Sequence, residues 1–412
     1  MATNNEFAQS PQRAPDVLHY VPRYLNRSER FVWQQLRDWG EGTDLGTVRV
    51  ATRRITDVAS EFPHPNLIPL GADQRPLASL DHQASGLLRR FDGGARDELT
   101  LLEARRLANL VKKSDVVYCM FLWNAIELRH VLRNDQTPLV LHVAGSDIMT
   151  ADSRGPEYLE AIDQIMERAD LILCGSAFLQ AEVVRRGVPA SRCHVHYFGI
   201  DVPDATAVAG QPRPDIPLEL LAVSRLHPVK GVEHTLSAFD EAFSDTTACL
   251  TIVGDGPERG ALEAHARTLK SIDRITFTGE LDHDAVNQHM RRADVFVQHN
   301  VTDPSGGQEG CGGTILEASA HGLPVVATRS GGVPEAVLDE SSGLLVEPGD
   351  VTAMAAALRT VAAAPDLRRS LGKAGRAHVD AVHNARTQNQ KLAEILRDLD
   401  SRGSQLRTPL AD

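Results

Sequence analysis

The chain is 412 residues long, more than one hydrophobic core ordinarily organises and a fair length for two domains. Its formal charge of -12 excludes nucleic acid as a partner class, since that binding draws most of its affinity from Lys and Arg meeting phosphates. Apolar residues make up 42% of the chain and are evenly spread, so each half can bury a core of its own.

No run of roughly 18 apolar residues occurs, the length a membrane helix needs. The first fifteen residues are polar, with no apolar h-region. The expectation is a cytoplasmic protein. The basic pairs Arg185-Arg186 and Arg291-Arg292 leave room only for weak peripheral contact with anionic lipid, and they read equally as solvated helix ends. The five cysteines are widely spaced and form no Cys-x-x-Cys pair, which reads as free thiols in a reducing compartment.

From residue 16 onward, short apolar runs alternate with amphipathic stretches, the pattern of β-α units on a parallel sheet. In a first series the predicted strands are 16–22, 47–53, 115–121, 138–143 and 171–174, and the predicted helices include 28–39, 103–112, 157–169 and 177–186. A further strand is expected near 66–70, and a mobile loop around Asp92-Gly93-Gly94. The proline-rich stretch 204–217 breaks all periodicity, as an interdomain linker does. A second series follows, with predicted strands at 218–223, 248–253, 275–278, 295–298, 324–327 and 343–346. Val232, Leu236, Phe239 and Phe243 repeat at the spacing of one buried helix face, and helices continue from about 350 to 399.

The fold class is therefore α/β, two doubly wound Rossmann-like domains facing a cleft. The expected divisions are a disordered tail at 1–15, a first domain at 16–203, a linker at 204–217, a second domain at 218–380, and at 381–412 a C-terminal helix turned back toward the first domain, with a tail. Ligands of such sheets lie beyond the carboxyl ends of the strands, so the residues after each strand carry the interest.

After the strand ending at Gln298 comes Ser305-Gly-Gly-Gln-Glu309-Gly-Cys-Gly-Gly313-Thr-Ile-Leu-Glu317, a glycine-rich turn feeding a helix. The amides of Gly312, Gly313 and Thr314 are expected to point out of the helix start, where about half a positive charge welcomes a phosphate. Thr314 and Glu317 are also spaced as a capping box. Glu309 has no such duty, and its exposed oxygens are candidates to accept bonds from sugar hydroxyls.

In Ser224-Arg225-Leu226-His227-Pro228-Val229-Lys230-Gly231 two cations sit on a strand-to-helix loop. Arg grips a diphosphate with its fork and Lys adds a point charge, so Arg225 and Lys230 together can neutralise a departing nucleotide. Val253-Gly254-Asp255-Gly256-Pro257 reads as a strand end, a tight turn and a helix opening on Pro. Ser330-Gly331-Gly332-Val333-Pro334-Glu335 reads as a turn and helix start whose glycines allow close approach. The nearest match to a metal-binding Asp-x-Asp, Asp282-His283-Asp284, reads as a helix cap. No metal and no other cofactor is expected.

These motifs, in this order and spacing, resemble glycosyltransferase family 4, the retaining enzymes with the GT-B fold, closely over 218–349 and more loosely over 16–201. The resemblance implies a hexosyltransferase. Its nucleotide-diphosphate sugar donor would bind the second domain, and a hydroxyl acceptor (a glycan, glycolipid or small natural product) the first. It also implies that Arg225 and Lys230 hold the donor diphosphate, that Glu309 and Glu317 contact the donor sugar and ribose, and that Leu281 lies beside the nucleobase.

Asn26-Arg27-Ser28-Glu29-Arg30-Phe31 is similar to the Ser-Glu-Thr-Phe variant of polysaccharide-building members, with Arg30 where Thr stands. Ser28 is thereby a candidate substrate contact, although it reads equally as a helix cap. Gly145-Ser146-Asp147 resembles the Gly-x-Asp tail of a motif whose histidine lies near the reacting sugar, which makes Asp147 a second candidate contact. Ala144 occupies the histidine's position, so His142, two residues earlier on the same strand face, is the candidate catalytic histidine. Two other readings stay open: a sugar phosphorylase or epimerase on the same scaffold, and a nucleotide-sugar-binding protein without turnover.

Overall fold

The computed structural model describes residues 13–25, 29–39, 45–56, 59–71, 99–204 and 217–402. Most of the expected tail and linker, the loop at Asp92-Gly93-Gly94 and the candidate Ser28 lie outside the described residues.

Seven parallel strands form the first sheet: β1 (Val17–Tyr20), β2 (Val48–Thr52), β3 (Leu67–Pro69), β4 (Val116–Met120), β5 (Leu139–Val143), β6 (Leu171–Cys174) and β7 (Cys193–Val195). Their spatial order is β3-β2-β1-β4-β5-β6-β7. Six more form the second sheet: β8 (Glu219–Val223), β9 (Cys249–Val253), β10 (Ile275–Gly279), β11 (Val295–Gln298), β12 (Val325–Thr328) and β13 (Gly343–Val346), ordered β10-β9-β8-β11-β12-β13.

The principal helices are α1 (Arg30–Trp39), α2 (Leu101–Val111), α3 (Pro156–Arg168), α4 (Ala177–Arg185), α5 (Val232–Phe243), α6 (Arg259–Ala266), α7 (His283–Arg292), α8 (Gly313–Ala320), α9 (Val351–Ala363), α10 (Pro365–Val382) and α11 (Ala385–Arg402). Helices cover both faces of each sheet, which is why the central strands are apolar without alternation: every residue of β4, β5 and β11 is buried. Each sheet accordingly has a hydrophobic cluster on either face.

In each sheet the chain winds outward one way, then returns to the middle and winds the other way. The reversal falls between β1 and β4 in the first sheet and between β8 and β11 in the second. At these points successive loops diverge and leave a crevice at the carboxyl edge.

The strand β7 was not anticipated, because three residues are too few to show a period. A two-residue ladder of Arg23–Tyr24 with Arg54–Ile55 escaped notice for the same reason. Pro257 does not open a helix. The chain turns through Gly256 so close to Leu226 that a Cβ there would lie 2.4 Å from its carbonyl oxygen, and α6 begins only at Arg259.

The helix α11 packs on the first sheet. Its Leu392, Ala393, Leu396 and Leu399 share a core with Val17, Tyr24, Leu36 and Trp39, and Asn389 Nδ2 donates to Asp38 Oδ2 at 2.9 Å. Nearby, Arg37 Nη2 pairs with Asp201 Oδ1 at 3.0 Å. Leu396 is 0% exposed. Leu396→Ala is expected to cost about 2–5 kcal/mol, measured as a lower urea midpoint at unchanged slope. An unchanged midpoint would show that this helix contributes little to the fold.

Candidate active site

The switch point of the second sheet brings two of the singled-out segments together. The loop after β8 carries Arg225 and Lys230, and the loop after β11 carries Glu309 and leads into α8. Both border a cavity of about 350 Å³. On the second-domain side it is lined by Arg225, Lys230, Glu309, Gly313, Thr314 and Glu317, with Leu281 and Glu335 nearby. On the first-domain side it is lined by Arg30, Phe31, Ala144 and Ser176.

Close backbone packing shapes this cavity. Gly331 has φ +55, and a Cβ there would lie 2.0 Å from the Glu309 carbonyl oxygen. A Cβ on Gly310 would lie 2.6 Å from the carbonyl oxygen of Ala144 in the other domain. A side chain at either position would push apart the loops that form the walls.

Lys230 Nζ forms an ion pair and hydrogen bond with Glu309 Oε2, to which Asn300 Nδ2 also donates at 3.1 Å. The Gly312 amide donates to Glu309 Oε1 at 3.1 Å. Burial pushes the Glu309 carboxyl up, but Lys230 and the Gly312 amide outweigh it and hold the group below its ordinary range. Two expectations change. Glu309 is a tethered carboxylate rather than an exposed acceptor, and the Gly312 amide is already engaged. Arg225 is exposed on the rim and meets no carboxylate among the described residues.

The capping box does not form. Gly312, in the left-handed region at φ 67, is the N-cap of α8 with no side-chain cap, and Thr314 Oγ1 donates to Gln298 Oε1 at 3.0 Å. Glu317 thus has no capping duty and borders the cavity. Burial raises its carboxyl to about 7, with Arg30 opposing and Asp201 reinforcing the shift. Asp282 does cap a helix, its carboxylate accepting from Ala285 N at 2.8 Å.

The first-domain candidates fare differently. His142 is corrected from a catalytic candidate to a core residue. It is 0% exposed, its Nδ1 shares a hydrogen bond with Tyr118 OH at 2.7 Å, and its Nε2 lies 3.1 Å from the His196 carbonyl oxygen. Its ring stacks on Phe198 at 4.5 Å. Burial holds the imidazole well below its ordinary pKa, so it has neither a free nitrogen nor a path to the cleft. Ala144, at the position the histidine would occupy, does border the cavity.

Asp147 is likewise not a substrate contact. Its carboxylate accepts from the amides of Leu122 at 3.0 Å and Gly145 at 2.8 Å, and it is fully buried. Its work is to fix the turn after β5.

Two residues in the site were not anticipated. Arg30, which stands where the motif has Thr, borders the cavity from the first domain, and its buried Nε has no hydrogen-bond partner among the described residues. Glu335 reaches across the cleft, accepting from Ala177 N at 2.8 Å, Phe178 N at 3.0 Å and Tyr197 OH at 3.1 Å. It caps α4 of the opposite domain in the way a carboxylate ordinarily caps its own helix. Beside it, Ser176 Oγ donates to the Gly310 carbonyl at 2.8 Å. The Arg in the motif was a visible signal. A cap supplied by a residue about 160 positions away leaves no trace in local sequence.

Residues 207–378 match the family described as Glycosyl transferases group 1. Similar proteins include a GDP-mannose-dependent alpha-(1-6)-phosphatidylinositol monomannoside mannosyltransferase of Mycolicibacterium smegmatis, 38% identical over 43% of this chain and 47% of that one. Another is the putative colanic acid biosynthesis glycosyltransferase WcaL of Escherichia coli, 30% identical over 59% of each chain. The match thus spans about half the length of the first of these relatives.

Among solved structures, Anabaena HepE in complex with UDP-glucose superposes with a TM-score of 0.73, at 19% identity, covering 93% of this chain and 100% of that one. Sucrose-phosphate synthase from Thermosynechococcus elongatus gives 0.71, at 20% identity, over 94% and 99%. The two facing parallel sheets are the GT-B fold, and the match to group 1 glycosyl transferases falls on residues 207–378, the part of the chain that holds the second sheet.

Proposed function

We propose that this protein transfers a hexose from a nucleotide-diphosphate donor to a hydroxyl acceptor with retention of configuration, in the cytoplasm and without a metal. The observation that carries the reading is convergence: Arg225, Lys230 and the start of α8 border the same cavity as Glu309 and Glu317. A pyrophosphate is the group that this set of positive ends fits.

In the proposed step the bond from the anomeric carbon to the diphosphate oxygen breaks, and the acceptor oxygen bonds to that carbon on the same face. The acceptor's proton leaves on the departing phosphate oxygen. Arg225 and Lys230 stabilise the charge that grows on that oxygen, an effect present mainly in the transition state. Lys230 exchanges Glu309 for phosphate, which frees Glu309 Oε2 for a sugar hydroxyl while Asn300 keeps it oriented. Glu317 receives the ribose, and Leu281 lies against the nucleobase.

Free thiols at all five cysteines support a reducing compartment. No described helix is long and apolar enough to cross a membrane. Weak lipid contact through Arg185-Arg186 has little to draw on, since Glu182 and Asp152 already pair with these cations. The metal-free reading is supported by the carboxylate of Asp282, which is spent on a backbone amide.

A nucleotide-sugar panel scored by thermal stabilisation identifies the donor. With that donor, Arg225→Ala is expected to slow transfer by about 10² to 10³, equivalent to roughly 3–4 kcal/mol. Wild-type turnover in a folded variant overturns the role. Nucleotide release that requires an acceptor marks transfer, whereas sugar phosphate release with inorganic phosphate marks phosphorolysis.

Chelation by EDTA is expected to leave the rate unchanged, and a loss restored by magnesium or manganese would refute the metal-free step.

The raised carboxyl of Glu317 predicts a pH signature. A carboxyl lifted from 4.5 to about 7 takes up a proton on folding between those values, so it makes the empty protein less stable as pH rises through that window. Glu317→Gln should melt close to wild type below pH 4.5 and progressively higher than wild type as pH rises toward about 7, the difference levelling off above that. A constant difference across the window would show that Glu317 titrates normally.

A further inference from the structure

A second pocket, of about 390 Å³, lies at the other switch point, where β1 and β4 of the first sheet separate. It is lined by His19 of the first strand and Arg23 beyond that strand, Phe121 and Trp123 after the fourth, and Arg154. Glu29 also borders it and is itself already engaged.

Three features mark the pocket as built for a ligand. His19 is 0% exposed, and neither ring nitrogen has a hydrogen-bond partner among the described residues. A buried imidazole without partners forfeits the hydrogen bonds it had in water, and a ligand in the pocket would restore one. Burial keeps it neutral, with its pKa near 3. Phe121 holds φ at +67, a conformation that bulky side chains rarely adopt and that gathers at functional sites. Finally, the arginines are uncompensated. Arg154 is stacked over the rings of Trp123 at 5.0 Å and Tyr158 at 5.1 Å, and its Nε donates to Thr150 Oγ1 at 3.3 Å. The terminal nitrogens of Arg154, and the guanidinium of Arg23, meet no carboxylate among the described residues.

The two pockets share a wall. Phe31 borders the first cavity and its ring lies 6.2 Å from that of Phe121 in the second. A molecule seated in the second pocket therefore has a short way to the donor cleft.

We propose that the second pocket binds the acceptor, and that this acceptor carries an oxyanion, phosphate or carboxylate, gripped by Arg23 and Arg154 against the aromatic wall of Phe121 and Trp123. The inference rests on the transferase reading of the first cavity. A guanidinium stacked on aromatic rings is already ordered before the ligand arrives and presents its fork to two oxygens at once, a geometry that suits phosphate and carboxylate and has no counterpart in a neutral sugar. His19 adds one neutral hydrogen bond at the pocket floor.

The test uses the full chain with its donor cleft saturated by the stabilising nucleoside diphosphate, and follows probe binding by ligand-observed NMR. The probes are a hexose phosphate, glucuronate, methyl glucoside and inorganic phosphate. The hexose phosphate or glucuronate should bind more tightly than methyl glucoside and inorganic phosphate. Arg154→Gln and the exposed Arg23→Gln should each weaken that binding roughly 10- to 100-fold while leaving the nucleotide's thermal stabilisation intact, which also reports that the variants fold. Neutral and anionic sugars binding alike, or variants binding like wild type, would overturn the proposal. Inorganic phosphate binding as tightly as the hexose phosphate would overturn its acceptor half. Failure of any nucleotide to stabilise the wild type would instead count against the transferase reading.

Discussion

The ion pair between Lys230 and Glu309 is the constraint around which the cleft is arranged. A buried pair of this kind adds little net stability, because desolvating both charges offsets most of their attraction. Its value is positional. Asn300 and the Gly312 amide hold the carboxylate from two further directions, so the lysine is drawn inward from one switch-point loop toward the other. The site therefore already presents its charges where a diphosphate is proposed to lie, and little reorganisation remains to be done when one arrives.

The second constraint is the join between domains. Glu335 completes the start of α4 in the opposite domain, Ser176 binds the Gly310 carbonyl, and Gly310 lies against Ala144 with no room for a side chain. Each contact joins the segment beyond a strand of one sheet to the segment beyond a strand of the other. Together they hold the cleft narrow, so charges inside it act through a lower effective dielectric than they would in water. The raised carboxyl of Glu317 is one visible result.

Much of this was legible in the sequence, and for a physical reason. Strands buried on both faces are mostly apolar without alternation, so runs such as those at Leu139–Val143 and Val295–Gln298 stand out against their polar helices. The loops that follow them carry the chemistry, because ligands of such sheets have nowhere else to bind. What was not legible is whatever depends on long-range partners. His142 looked available because spacing alone cannot reveal that Tyr118 and the His196 carbonyl occupy both its nitrogens. Asp147 looked like a ligand, although its carboxylate is spent on local amides. Glu309 looked exposed because its partner Lys230 lies 79 residues away.

Arg30 connects these threads. It opens α1 on the wall where the two domains meet, and is followed by Phe31, whose ring stands between the two pockets. Burial lowers its pKa while Asp201 and Glu317 draw it back up, so the guanidinium stays charged facing the acidic side of the first cavity. A threonine in that place would leave Glu317 without its one opposing charge and its carboxyl higher still. The departure from the motif and the raised carboxyl of Glu317 are thus two sides of one electrostatic arrangement, in which a first-domain cation opposes the burial of a second-domain carboxylate.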